Sequence, residues 1–162
     1  MYVTGATLPP FQALLDSYRE DVYRFLVASA GRNEADDAFQ ETFLSAMRAY
    51  PRLEHGENLR GWLLQIAHRK ATDAHRARGR RPLPVPEAPD EAAPEQAALD
   101  GGPALMGAVR ALPPKQRGAI LCRSLLGLGY EEVAAALGCS EAAARRNVHE
   151  GLKRLREEWS HE

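Results

Sequence analysis

A basic face near the C-terminus of the 162-residue chain has residue types and spacing suited to nucleic-acid contact. On a helical wheel, one face of the segment Glu141–Trp159 holds Ala142, Arg145, Arg146, His149 and Lys153. Arginine can donate two hydrogen bonds to a guanine edge or a phosphate, so Arg145 and Arg146 are expected to reach bases or phosphates. His149 and Lys153 lie further along and are expected to meet the DNA backbone.

The residues in front of this basic helix match a helix-turn-helix. Tyr130–Leu137 is predicted to be a short helix, Gly138 to break it, and Ser140 to cap the long helix, where free amides could also hold a phosphate. A solvated basic face is the alternative, but turn, cap and cations together favour DNA contact. The opposite, apolar face is predicted to be buried and holds Ala144, Val148, Gly151, Leu152, Leu155 and Trp159.

Two further helices complete this rear unit. The first covers residues 104–112 and is broken by Pro113, and Pro114 fits the start of a second helix that runs to about Leu126. Gly127 and Gly129 then mark a turn. Four helices are therefore expected after residue 103.

Three helices are predicted in the front of the chain. The first ends at Gly31, and the second is capped by Asn33 and stopped by Pro51. Apolar residues at helical spacing form a predicted buried stripe on the second helix, consisting of Ala35, Ala38, Phe39, Phe43, Ala46, Met47 and Tyr50.

The third helix combines an apolar face with a basic second half, and Asn58 is its candidate cap. Trp62 is expected in the core rather than as a platform for unstacked bases, together with Leu59, Leu63, Ile66, Ala67 and Ala74. The basic residues could hold a displaced DNA strand and are Arg69, Lys70, Arg76, Arg78, Arg80 and Arg81. His68 and His75 are expected to be solvated or to cap, not to bind metal.

Residues 82–103 contain six prolines and five acidic residues and no basic residue, which is typical of a flexible linker. Because this linker is acidic, the net charge of -1 does not argue against nucleic-acid binding by the rest of the chain. Residues 1–51 carry four basic and seven acidic side chains, residues 52–81 carry eight and three, and residues 104–162 carry nine and seven. The near-neutral total is a cancellation between acidic segments and a basic stripe.

Several classes of function are disfavoured. Cys122 and Cys139 form no CxxC pair, which argues against a disulfide framework or a zinc site, and Cys139 is expected to be a buried filler. No Gly-rich phosphate loop, GxSxG or metal-spaced cluster occurs, so neither an enzyme nor a cofactor is expected. The sequence also has no signal peptide and no long apolar run, so a cytoplasmic protein without membrane contact is expected.

Two sets of motifs, in order along the chain, resemble the bacterial sigma factors of the extracytoplasmic-function class. The front set resembles the second conserved region of that class and comprises DDAFQETFLSAMR (36–48), NLRGWLLQIAHRK (58–70) and DAHR (73–76). The rear set resembles the fourth region and comprises LPPKQR (112–117), GYEEVA (129–134) and LGCS (137–140). The recognition helix departs from many relatives at Ala143, Arg145, Asn147 and Glu150, so no promoter sequence is carried over.

The resemblance implies a non-catalytic initiation subunit that binds core RNA polymerase and promoter DNA, commonly held inactive by an anti-sigma factor. Residues 8–81 would form the region 2 domain and residues 104–162 the region 4 domain, which would bind the minus-thirty-five element and the flap of the second-largest subunit. The clamp helices of the largest subunit would contact Asp37, Gln40, Glu41, Phe43, Leu44 and Arg48. The loop 52–58 and the third helix would engage and open the minus-ten element, through Asn58, Arg60, Arg69 and Arg76.

Two other readings remain open. A stand-alone helix-turn-helix regulator would bind its operator tightly without polymerase. A protein that sequesters a partner through amphipathic helices would keep its activity after charge reversal at Arg145 and Arg146.

Overall fold

The computed structural model describes residues 8–53, 58–79 and 102–160, and in these ranges the chain is α-helical without strands. Within these ranges, three α-helices come before the predicted linker and four begin at its C-terminal end or after it, and the sequence predicts the same numbers. They are α1 (Phe11–Ala30), α2 (Arg32–Ala49), α3 (Leu59–Gly79), α4 (Gly102–Ala111), α5 (Pro114–Ile120), α6 (Tyr130–Leu137) and α7 (Glu141–Ser160). Most of the predicted linker and residues 54–57 lie outside the described residues, and Gly102 and Pro103 belong to α4.

A single glycine joins α1 to α2. Gly31 has a φ of +88°, which favours glycine, and its amide donates to the carbonyl of Val27 at 3.0 Å. The carbonyl of Gly31 then accepts from the amide of Ala35 in the first turn of α2. The predicted Asn33 cap is therefore wrong: α2 already begins at Arg32, and no side chain caps it.

The front core lies between α1, α2 and α3. Its largest fully buried side chains include Phe25 and Leu26 of α1 and Leu63 and Leu64 of α3. The predicted stripe on α2 is buried or half-buried at every position except Met47, which is 51 % exposed. Met47 was misassigned because its direction on the helical wheel does not show whether another element covers its side chain.

The rear unit contains the predicted helix-turn-helix. Pro114 starts α5, which continues into a π-helical turn over Leu121–Leu125. Gly138 ends α6 in the left-handed conformation at a φ of +66°, and the hydroxyl of Ser140 accepts the amide of Ala143 at 3.1 Å, so the predicted break and cap are confirmed. The core includes Met106, Val109, Leu121, Leu128 and Val133.

The apolar face of α7 is buried as predicted at Ala144, Val148, Gly151 and Leu155. Leu152 is an exception, because 41 % of it is exposed to solvent. The side chain of Trp159 lies outside the described side chains.

The two units pack directly against each other, chiefly through α3 and α6. Gly61 allows this approach, since a Cβ atom there would lie 2.8 Å from the Cβ of Ala135. α1 also contacts α4 and the π-helical turn. The sequence predicts a linker that allows independent movement, but it contains no signal for this contact.

Candidate nucleic-acid interface

The basic side chains of α7 are exposed as predicted. Arg145, Arg146, His149 and Lys153 all face solvent, and Glu141 pairs with Arg145 at 3.1 Å in the first turn. This pair is itself exposed, so it costs little to exchange for a phosphate or a base edge. Ser140 precedes this face, and its hydroxyl accepts one of the free amides in the first turn of α7. The positive end of the helix dipole therefore lies beside these cations.

Tyr130 organises two of the cations. The guanidinium of Arg123 lies 4.5 Å from the centroid of the Tyr130 ring, and that of Arg145 lies 4.4 Å from the same centroid. Both are within range of a cation–π interaction. Arg123 also donates to the carbonyl of Leu128 at 2.9 Å. Two arginines 22 positions apart therefore share one surface. No local signal in the sequence indicates that Arg123 belongs to it, because only the fold brings Arg123 beside Arg145.

The predicted DNA-binding residues of the front unit do not all lie on the same side of α3. Asn58, with a φ of +56°, caps α3 as predicted, since its Oδ1 accepts the amide of Gly61 at 3.3 Å. Arg69 and Arg76 are exposed and lie on one side of α3, two helical turns apart.

Arg60 does not lie with these cations. Nine residues separate it from Arg69, which places the two side chains on opposite sides of α3. Its Nη2 and Nε donate to Oε2 of Glu132 at 2.7 and 2.9 Å, and Asp21 lies 3.6 Å from its Nη1. The pKa of Arg60 is raised: burial opposes the shift, and the hydrogen bond and charge of Glu132 outweigh it.

A second exposed surface follows α2. Asp37, Gln40, Glu41 and Arg48 face solvent, and Leu44 is 47 % exposed. Exposed large apolar side chains beside charged ones are typical of a protein contact, and Met47 extends this surface. Phe43 differs from the other predicted residues because it is buried, with its ring 4.9 Å from that of Phe39 and 6.4 Å from that of Phe11. It supports the surface from below.

The two histidines of α3 are not solvated. His75 Nε2 lies 2.6 Å from the carbonyl of Ser29 and satisfies the end of α1, in line with the predicted capping role. His68 is enclosed between the two units, and a Cβ at Gly118 would lie 2.8 Å from its ring. Burial, followed by the positive charges of Arg117, Lys115 and Arg69, lowers the pKa of His68 to about 4, so its ring is neutral at pH 7.

Both cysteines are free thiols, and burial disfavours the thiolate form of each. Burial raises the pKa of Cys122 to about 12 and also raises that of the half-buried Cys139. Among the described residues, no group of three or more His, Cys, Asp or Glu side chains could hold a metal ion. No helix within the described ranges is long and apolar enough to cross a membrane.

Known families match both units. Residues 14–81 match the Sigma-70 region 2 family and residues 103–155 match the Sigma-70 region 4 family. The ECF RNA polymerase sigma factor SigD of Mycobacterium tuberculosis is 37% identical over 158 residues, which cover 90% of this chain and 74% of SigD. The chain belongs to the extracytoplasmic-function sigma factors. A further relative, the RNA polymerase sigma factor CarQ of Myxococcus xanthus, is 33% identical over 132 residues, covering 76% of this chain and 73% of CarQ.

Solved sigma factors share this fold. The sigma factor RpoE of Bartonella quintana, in complex with the anti-sigma factor NepR, superposes with a TM-score of 0.68 at 25% identity, over 91% of this chain and 94% of that one. CnrH, in complex with the cytosolic domain of CnrY, gives a TM-score of 0.70 at 20% identity, over 94% and 88%. This sigma factor directs promoter-specific transcription initiation, and the reading as a stand-alone regulator gains no support.

Proposed function

We propose that α7 reads the minus-thirty-five element through Arg145 and Arg146, with Ser140, His149 and Lys153 on the phosphates. The observation that carries this proposal is the exposed basic face behind a capped helix N-terminus, which is how recognition helices meet the major groove. Arg123 is a further phosphate ligand, because Tyr130 holds it next to Arg145. Residues 104–162 form the corresponding domain, which also meets the flap of the second-largest subunit.

The front domain, residues 8–81, engages and opens the minus-ten element. Asn58 lies at the start of α3, where its exposed amide can contact an unstacked base. Arg69 and Arg76 supply cations on one side of α3 for the displaced strand. Arg60 joins them only when it is released from Glu132.

The surface of α2 docks on the clamp helices of the largest polymerase subunit. Leu44 and Met47 provide apolar anchors, and Asp37, Gln40, Glu41 and Arg48 surround them with polar groups. Phe43 keeps this surface rigid from beneath.

The protein acts in the cytoplasm and has no catalytic step of its own, because polymerase performs the chemistry. Residues 82–103 join the two domains and carry five acidic and no basic side chains, so their charge resembles that of nucleic acid. An anti-sigma factor is a further partner, in keeping with the complexes that RpoE and CnrH form.

A pull-down on immobilised core polymerase tests these assignments with two variants. The wild-type chain and the double variant Arg145→Glu/Arg146→Glu are expected to be retained, whereas Leu44→Asp is expected to be lost. In transcription, the double variant should fail to initiate although it binds polymerase. Failure of the wild-type chain to bind core polymerase would overturn the proposal, and full transcription by the double variant would overturn the role of α7.

A further inference from the structure

The first turn of α7 presents an acidic side chain among the cations that are proposed to meet DNA. Glu141 is the first residue of α7, and its Oε1 accepts a hydrogen bond from Nη2 of Arg145 at 3.1 Å. Side chains four positions apart lie on the same side of a helix, so Glu141 shares the exposed face of Arg145. The two side chains are 53% and 60% exposed, respectively. The pair is therefore open to a ligand that approaches this face.

Neither stability nor general affinity for DNA accounts for this acidic side chain. An exposed ion pair contributes little to the stability of a fold. A negative charge beside DNA lowers the affinity for every sequence, because the phosphates repel it. The helix dipole favours an acid in the first turn, but it does not require that the acid pair with a DNA-reading arginine. A charge that weakens general binding is expected where it improves discrimination between sequences.

Tyr130 and Glu141 hold the guanidinium of Arg145 from two directions. Cζ of Arg145 lies 4.4 Å from the centroid of the Tyr130 ring, and Nη2 lies 3.1 Å from Oε1 of Glu141. A guanidinium has five N–H donors and a carboxylate has two acceptor oxygens, so a single hydrogen bond between them leaves donors and acceptors available. The pair thus presents donors and an acceptor side by side.

This arrangement matches the major-groove edge of one G·C base pair. Guanine offers the acceptors N7 and O6, and the cytosine paired with it offers the donor N4 beside them. O6 and N4 are joined by a base-pair hydrogen bond and lie about 2.9 Å apart, close to the 3.1 Å between Nη2 and Oε1. Arg145 can therefore donate to guanine while Glu141 accepts from cytosine, and their own hydrogen bond is kept. An A·T pair in the same orientation places the acceptor O4 of thymine opposite the carboxylate, which repels it.

We propose that Glu141 is a specificity-determining residue, and that the Glu141–Arg145 pair reads one G·C base pair of the minus-thirty-five element as a unit. Arg145 selects the guanine. Glu141 selects the cytosine opposite and rejects a base with an acceptor at that place. This inference rests on the proposed function, because it requires α7 to lie in the major groove of that element.

Competition binding tests this reading with the holoenzyme that core polymerase forms with the full chain. The promoter fragments carry each of the four base pairs in turn at every position of the minus-thirty-five element. Glu141→Ala removes the carboxylate, and Glu141→Gln keeps an acceptor oxygen without the charge. Glu150→Ala is the matched control, because Glu150 is an exposed acid on the opposite side of α7. Circular dichroism checks that each variant keeps its helices.

A modified promoter separates a direct contact of Glu141 from an effect through Arg145. In this fragment, a pyrimidine that lacks the 4-amino group of cytosine stands opposite the guanine, so the guanine edge is kept and only the N4 donor is lost. The missing amino group should weaken binding of the wild-type holoenzyme about tenfold, because a hydrogen bond to a charged group is lost. Binding of the Glu141→Ala holoenzyme should not change.

The wild-type holoenzyme is expected to prefer G·C over A·T about tenfold or more at one position of the element. Glu141→Ala should lose most of this preference and bind unmatched DNA at least as tightly as the wild type. Glu141→Gln should keep part of the preference, and Glu150→Ala should keep all of it.

Two results would overturn the role of Glu141 and leave that of α7 intact. One is an unchanged base preference in Glu141→Ala, and the other is an equal effect of the missing amino group on the wild type and on Glu141→Ala. A wild-type holoenzyme without any base preference in the minus-thirty-five element would instead refute the proposed function of α7, and this inference with it.

Discussion

The guanidinium of Arg145 lies over the ring of Tyr130, 4.4 Å from its centroid, and thereby joins the recognition helix to the first helix of the helix-turn-helix. Arg123 approaches the same ring from the preceding turn. Because the aromatic ring already orders two arginines, these side chains lose less conformational entropy when they bind DNA. The basic surface is therefore organised before DNA arrives.

Replacement of Tyr130 tests this organisation. Tyr130→Leu should weaken binding of the holoenzyme to minus-thirty-five DNA about fivefold, because two cation–π contacts are lost. Tyr130→Phe keeps an aromatic face and should bind like the wild type. Fluorescence anisotropy of a labelled promoter measures both, and equal loss in the two variants would assign the effect to the hydroxyl instead.

Arg145 and Lys153 should affect DNA binding differently. Arg145→Ala should lose about tenfold or more in affinity and tolerate base changes at one position of the site, because a bidentate base contact is removed. Lys153→Ala should weaken all sequences alike and lower the slope of log affinity against log salt by about one, because a phosphate contact is removed. Binding titrations over a range of salt and of single-base variants separate the two effects. A Lys153→Ala chain with an unchanged salt slope would contradict the backbone assignment.

Met47 adds a prediction about the α2 surface. Met47→Glu should lower affinity for core polymerase about tenfold without loss of thermal stability, since the side chain is half exposed and lies beside Leu44. Ser17→Glu, on the exposed side of α1, is the control for added negative charge. Competition with the wild-type chain for core polymerase measures the difference, and equal effects of the two substitutions would rule out a specific contact.

His68 should report the contact between the two units through its titration. While the two units are in contact, its pKa is lowered to about 4 by burial and by Arg117, Lys115 and Arg69, whereas an exposed histidine titrates near 6.5. Protonation therefore opposes this contact: its contribution to stability is fully present above about pH 6.5 and falls as the pH is lowered toward 4. NMR titration of the imidazole should show a raised pKa in Glu132→Gln. An unchanged low pKa in a variant whose two units have separated would mean that His68 is buried by its own domain.

Local signals in the sequence predict the helices and most of their ends. Gly31, Pro114 and Ser140 have backbone or capping preferences that act over a few residues, so each is recognisable without the fold. Met47 and Leu152 were misassigned because a helical wheel gives direction around a helix and not the neighbour that covers it.

Long-range relationships are the part that the sequence does not reveal. Arg60 and Glu132 are 72 positions apart, and nothing in either segment indicates that they pair. The residues around Arg60 in the sequence predict a DNA contact. Only the packing of α3 against α6 brings its guanidinium to Glu132. Arg123 was missed for the same reason, since its place beside Arg145 depends on the turn before α6.

Mapping the 5′ ends of transcripts that purified core polymerase makes from fragmented genomic DNA, with and without this chain, measures whether the chain directs initiation. We expect a set of start sites that appear only with the chain and share sequence elements near minus ten and minus thirty-five. The same start sites should disappear with Arg145→Glu/Arg146→Glu. Identical transcript ends with and without the wild-type chain would contradict the assignment as a promoter-directing sigma factor.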